Sequence, residues 1–126
     1  MVRNEELAKQ FVAGATTGRG NNIFIDGDAI YSYGSHFPIA LRTPAGYIVN
    51  KSKYSVTTSK HQGYVKRAIG ESGQKIIKEL DTNQLIDAVY KHHERTGLFK
   101  EDNSSVKKKR ARIQFGWLFY GTMVKS

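Results

Sequence analysis

His36 and His61 are the residues of this chain best suited to proton transfer, because histidine is the side chain whose ordinary pKa lies nearest neutrality. Both fall in "AIYSYGSHFPIALRTPAGYIVNKSKYSVTTSKHQ", residues 29 to 62, among Tyr31, Tyr33, Phe37, Tyr47, Tyr54 and a row of Ser and Thr. As general base and acid, with a lysine to stabilise the charged transition state, the pair would suit a metal-independent ribonuclease attacking through a ribose 2′-hydroxyl. Nothing in their spacing demands that chemistry. His61 also suits a hydrogen-bonded core position, since Tyr64, Val65, Ala68 and Ile69 share its helical face. His36 equally suits a bond to Gln62 or a Thr hydroxyl that ties a strand to a helix cap.

Other chemistries have less behind them. His92 and His93 are adjacent on a helical stretch and should point to different sides, so they are not expected to chelate one ion. Asp26 and Asp28 flank Gly27, which reads as a hairpin turn. No carboxylate and histidine set has metal-site spacing, so no metal is expected. The chain has no cysteine, which excludes disulfides, thiolate zinc sites and a thiol nucleophile. "GATTGRGNN" lacks the spacing and the lysine of a phosphate-binding loop and reads as a flexible connector, so no cofactor is expected.

Charge points elsewhere. The formal net charge is +9 over 126 residues. Residues 1 to 50 hold four bases and four acids, whereas residues 51 to 126 hold sixteen bases against seven acids. A basic field of this kind concentrates polyanions, so DNA or RNA is the expected partner. Lys51, Lys53, Lys60, Lys66 and Arg67 bracket a helix start whose free N–H groups favour phosphate, and Thr57 and Thr58 add hydroxyls there. Period-2 alternation puts Tyr31 and Tyr33 on one strand face, with Ile30 and Ser32 on the other; the two tyrosines would stack on unpaired bases if their face meets solvent, and equally suit packing. "KKKRAR" adds Lys107, Lys108, Lys109, Arg110 and Arg112, either as phosphate contacts or as a charged guard on an edge segment.

These residues need a scaffold. With 39% hydrophobic and 25% charged residues the composition is globular, and the length suits one domain spanning residues 1 to 126. "NEELAKQFV" reads as an amphipathic helix capped by Asn4. "NIFID", "AIYSYG", "HFPIALRT" and "YIVN" read as an antiparallel meander over residues 22 to 50, with Pro38 marking an edge or bulge. Helices are expected near Thr58–Ile69, capped by Thr57 or Thr58 and ended by Gly70, near Gln74–Leu80, and near Thr82–Arg95. Gly63 weakens the first of these by about 1 kcal/mol against Ala, implying either a close neighbour or tertiary support. Residues 98 to 112 read as a basic loop or edge segment. "FGWLFYG", from Phe115 to Gly121, reads as a strand completing the core, or as a protein anchor or homodimer seam. The fold class is α+β. No apolar run reaches the ~18–20 residues of a membrane span, and the N-terminus lacks a signal-peptide core, so a cytoplasmic protein is expected.

"YSYGSHFPIA" at residues 31 to 40 and "YSVTTSKHQ" at residues 54 to 62 resemble the shared core of an uncharacterised domain family of phage, archaeal virus and plasmid proteins. The resemblance covers roughly residues 22 to 70 and takes in Tyr33, His36, Thr57, Thr58, His61 and Gln62. It carries no activity with it. It implies a mobile-element origin, hence a host cytoplasm, and leaves room for a virus-encoded inhibitor of a host protein or nucleoprotein complex. Non-enzymatic nucleic-acid binding is the leading expectation.

Overall fold

Apolar residues at helical spacing start the chain's first element, α1 (Asn4–Val12), whose Leu7, Ala8, Phe11 and Val12 are buried. The computed structural model describes residues 1 to 97. Strands β1 (Thr17–Arg19), β2 (Ile23–Asp26), β3 (Ala29–Ser32), β4 (Pro38–Thr43) and β5 (Gly46–Asn50) follow, then α2 (Val56–Glu71), β6 (Ile76–Leu80) and α3 (Thr82–Thr96). The six strands form one sheet in chain order. Every neighbouring pair is antiparallel except β5 and β6, which are parallel because α2 carries the chain back across the sheet. The fold is α+β, as expected from the sequence.

The sheet is covered on both faces. On one, Ile23, Ile25, Ile30, Tyr47 and Val49 meet Leu7 and Phe11 of α1 and Val65 and Ile69 of α2. On the other, Ala29, Tyr31 and Leu41 meet Leu85 and Val89 of α3, with Phe24, Ile48 and Leu80 beside them. Strand alternation sorts the two sets, and the cross-strand pairs Ile25↔Ile30 and Phe24↔Tyr31 fall on opposite faces. Met1–His93 forms one compact unit. The whole sheet and both apolar clusters belong to it.

Several local expectations are corrected. Gln74–Leu80 is not a helix: after Gly73, at φ +79°, the chain extends and β6 pairs along β5. Seven residues gain little from helix nucleation, whereas an open sheet edge offers two isoleucines ready hydrogen bonds. "GATTGRGNN" contains β1, and Gly18 makes its packing possible, because a Cβ there would lie 2.8 Å from Leu7 Cδ1. Asn4 does not cap α1. Its amide instead brackets the β1–β2 turn, accepting from Asn21 N at 2.8 Å and donating to Asn21 O at 3.1 Å. The cap of α2 is Ser55, whose Oγ accepts from Thr58 N at 3.1 Å, and α2 runs one residue beyond Gly70. Nothing lies within 4 Å of a Cβ placed on Gly63, so α2 relies on tertiary support. Of the two readings of Pro38, the bulge holds and the edge does not: Pro38 opens an interior strand opposite Tyr31, beside a register shift. The C-terminal aromatic strand and residues 98 to 112 lie outside the described residues.

Candidate nucleic-acid interface

The two sequence motifs meet where β3 ends against α2. Ser32, fully buried, sits 2.8 Å from His61 Nδ1 and 3.2 Å from Thr58 Oγ1, and Ser55 Oγ donates to Thr58 Oγ1 at 3.1 Å. Asn4 Nδ2 lies 3.4 Å from His61 Nε2. An amide nitrogen only donates, so Nε2 accepts and Nδ1–H donates to Ser32. Gln62 adds bonds of 3.0 Å to the carbonyls of Asn50 and Ser52, fixing the strand that leads into α2. His61 is 2% exposed and burial lowers its pKa, so the ring is neutral. It locks α2 to β3. His36 is exposed in the turn after β3, with its ring beside Gly34. The predicted pairing of His36 with Gln62 or a threonine does not occur.

Acid is expected to loosen this joint. Above the ordinary histidine pKa of 6.5 the ring is neutral in both states; below it the unfolded chain binds a proton that the folded chain resists, so stability falls with pH. Burial lowers the pKa of His93 too, adding to the same slope. Urea midpoints should hold level from about pH 8 to about 6.5 and decline below, less steeply in His61→Gln. A midpoint that rises on acidification contradicts the neutral buried ring.

Around this locked joint the surface is aromatic and basic. Tyr33 is 49% exposed at φ +68°, and its N–H bonds the carbonyl of Asn22, itself at φ +63°. Tyr54 is 64% exposed with its ring 5.6 Å from that of Phe37, and Val56 is 77% exposed. Lys51, Lys53, Thr57 and Lys60 are exposed beside them on the segment leading into α2 and its first turn. Asn4, Asn21, Asn22, Thr57, Lys60, His61 and Tyr64 line a hollow of about 140 Å³.

Two predicted contacts are corrected by burial. Tyr31 cannot offer a ring to solvent: it stacks on Phe24 at 5.0 Å, and burial, with Asp26 nearby, pushes its phenol up to about 12. Strand β3 ends at Ser32, so Tyr31 and Tyr33 do not share a face. Thr58 is fully buried in the hydroxyl chain and cannot reach a phosphate. Lys66 and Arg67 are exposed, but Arg67 borders a groove of mixed charge, with Glu5, Glu6 and Glu71 beside Arg3 and Lys9, and so presents no purely basic face. Lys107, Lys108, Lys109, Arg110 and Arg112 lie outside the described residues.

A second polar cluster escaped the sequence reading. Asp28 Oδ1 accepts from Arg42 Nε at 3.2 Å and Nη2 at 2.8 Å, and Oδ2 accepts from His92 Nε2 at 2.7 Å. His93 Nε2 accepts from Asp28 N at 2.8 Å. His92 and His93 thus converge on one turn, contrary to expectation, because the β2–β3 hairpin inserts against α3. Gly27, at φ +68°, is required there: a Cβ would lie 2.7 Å from His93 Nε2. Burial raises the carboxyl pKa of Asp28, but the bonds from His92 and Arg42 outweigh it and leave the pKa lowered. Arg42 also donates to the carbonyls of Phe11 and Gly27 and lies over the Phe11 ring at 4.7 Å. Among the described residues no group of three or more His, Cys, Asp or Glu could hold a metal ion, and no helix is long and apolar enough to cross a membrane. The cluster joins β3, β4 and α3.

No curated protein and no solved structure matches the chain. A match to the family described as "Family of unknown function (DUF8033)" covers residues 4–84. That span extends beyond residues 22 to 70 on both sides and takes in Asn4, Ser32, Tyr33, Tyr54, Lys60 and His61. The match covers well over half of the sequence, and the chain belongs to this family of unknown function.

Proposed function

We propose that the protein binds unpaired nucleic acid without turning it over, through the surface at the start of α2. The observation that supports this best is the exposure of Tyr33 and Tyr54 beside Lys51, Lys53 and Lys60. Exposed rings among cations suit a strand whose bases are free to stack while its phosphates are neutralised. A duplex hides its base faces and offers such rings little. The net charge of +9 favours any polyanion and speeds encounter. His61 is buried and tied to Ser32 and Asn4, which favours a binding role over acid–base catalysis. The two motifs at residues 31 to 40 and 54 to 62 support an origin in a virus or mobile element, where a small strand-binding protein has uses in replication or packaging. The test is titration of labelled single-stranded and duplex oligonucleotides with the wild-type chain and with the chain carrying Tyr33→Ala and Tyr54→Ala. Tighter binding of the single strand, lost in the double variant, is expected. Absence of binding to any nucleic acid at low salt overturns the reading.

A further inference from the structure

Resting on that reading, we infer that the hollow between α1, the β1–β2 turn and α2 reads one unpaired pyrimidine base. Its walls bring together groups that recognise a base edge. Asn21 and Asn22 are exposed, and neither side chain has a hydrogen-bond partner among the described residues. Each amide offers a donor and an acceptor in one plane, the pattern that pairs with a base edge. His61 closes the inner wall as a neutral ring, and its ring centroid lies 6.1 Å from that of Tyr33 and 6.5 Å from that of Tyr64. The rings of His61 and Tyr64 line the hollow, and Tyr33 lies next to His61. Lys60 and Thr57 stand on its wall, and no carboxylate lines it, so a ligand carrying a phosphate meets an ammonium and no repelling charge.

Size narrows the ligand. The hollow measures about 140 Å³ and is open to solvent on its outer side. A single six-membered base fills a space of that scale, whereas a fused purine would project out of it. The local backbone is set up for the task. Asn22 and Tyr33 both hold positive φ and are joined by the bond from Tyr33 N to Asn22 O. Positive φ is uncommon for asparagine and rare for a bulky aromatic residue. At the turn, the Asn4 amide grips both backbone groups of Asn21, so the Asn21 and Asn22 side chains project from a fixed frame. Binding energy is then not spent on ordering them.

The experiment uses the full chain and single-stranded oligonucleotides of one length: the four homopolymers, and an abasic sugar–phosphate chain. The variants are Asn22→Gly, which keeps a backbone suited to positive φ, and Asn21→Ala, alone and combined. The wild type should bind pyrimidine homopolymers about tenfold or more tightly than the others. The combined variant should lose that preference and retain its affinity for the abasic chain. Unchanged thermal midpoints show that the fold is intact; if the combined variant is unfolded, the single variants carry the same comparison. Equal binding of all five chains by the wild type, or a purine preference, overturns the pocket and leaves general strand binding standing. A pyrimidine preference that survives in the folded variants also overturns it. Failure to bind any of the five removes both proposals.

Discussion

An Asp28→Ala chain is expected to lose about 3 kcal/mol of folding stability. Asp28 is the hub of the cluster, holding Arg42 through two bonds to Oδ1 and His92 through Oδ2. Its removal leaves the Arg42 guanidinium without its counter-charge and takes a partner from His92. Breaking a buried pair costs roughly 3–5 kcal/mol. The lower end applies because the side chains of Arg42 and Asp28 remain 16% and 21% exposed, so water screens what is left. Against a total of about 5–15 kcal/mol for a domain of ordinary stability, the loss is large. Replacing both partners, Asp28→Leu with Arg42→Met, should cost less than Asp28→Ala alone, because no charge is stranded. Urea denaturation at neutral pH measures both. A loss below about 1 kcal/mol for Asp28→Ala would place the cluster with ordinary surface ion pairs.

The second large effect is on binding. Replacing Tyr33 and Tyr54 by alanine should weaken single-strand binding by on the order of tenfold for each ring, from ~1–3 kcal/mol of stacking per base. Its salt dependence should change little. Replacing Lys51, Lys53 and Lys60 by glutamine should do the reverse, lowering affinity while flattening the slope of log K against log salt by about 0.7 for each single-strand phosphate no longer neutralised. Neutralising Lys107, Lys108, Lys109 and Arg110 should weaken single-stranded and duplex ligands alike, because a charge run without rings reads only phosphate. Anisotropy titrations over a range of salt separate the three. If the tyrosine variant binds as the wild type does, stacking is absent and the aromatic surface has another use.

How much of this was legible in the sequence depended on the range of the interaction. α1, the meander and α3 came through because local apolar spacing sets each of them. α2 came through with its buried face correct, since His61, Val65, Ala68 and Ile69 recur at helical spacing. "QKIIKEL" failed because its apolar positions fit a helix or a strand, and only the vacant edge of β5 decides between them. Tyr31 and Tyr33 were placed on one face by period-2 counting. The count stops at Ser32, because Tyr33 itself adopts a left-handed backbone and turns outward, which its residue type does not signal. The Asp28 cluster was hidden for a different reason: its members are up to 65 residues apart, and adjacency argued against His92 and His93 meeting. Of the surface residues, Tyr33, Lys51, Lys53, Thr57 and Lys60 were legible as a group. Tyr54, Asn21 and Asn22, which the proposed surface takes in, were not singled out in the sequence, because Asn21 and Asn22 fall in a stretch that reads only as a connector.

The most direct measurement of the central claim is ultraviolet cross-linking of the wild-type chain to a single-stranded oligonucleotide, with the attached peptides identified by mass spectrometry. Attachment at Tyr33, Tyr54 or Lys60 is the predicted result, since those side chains would touch bases and phosphates. Cross-links confined to residues 98 to 126 or to α3, or none at all, would contradict binding at the start of α2.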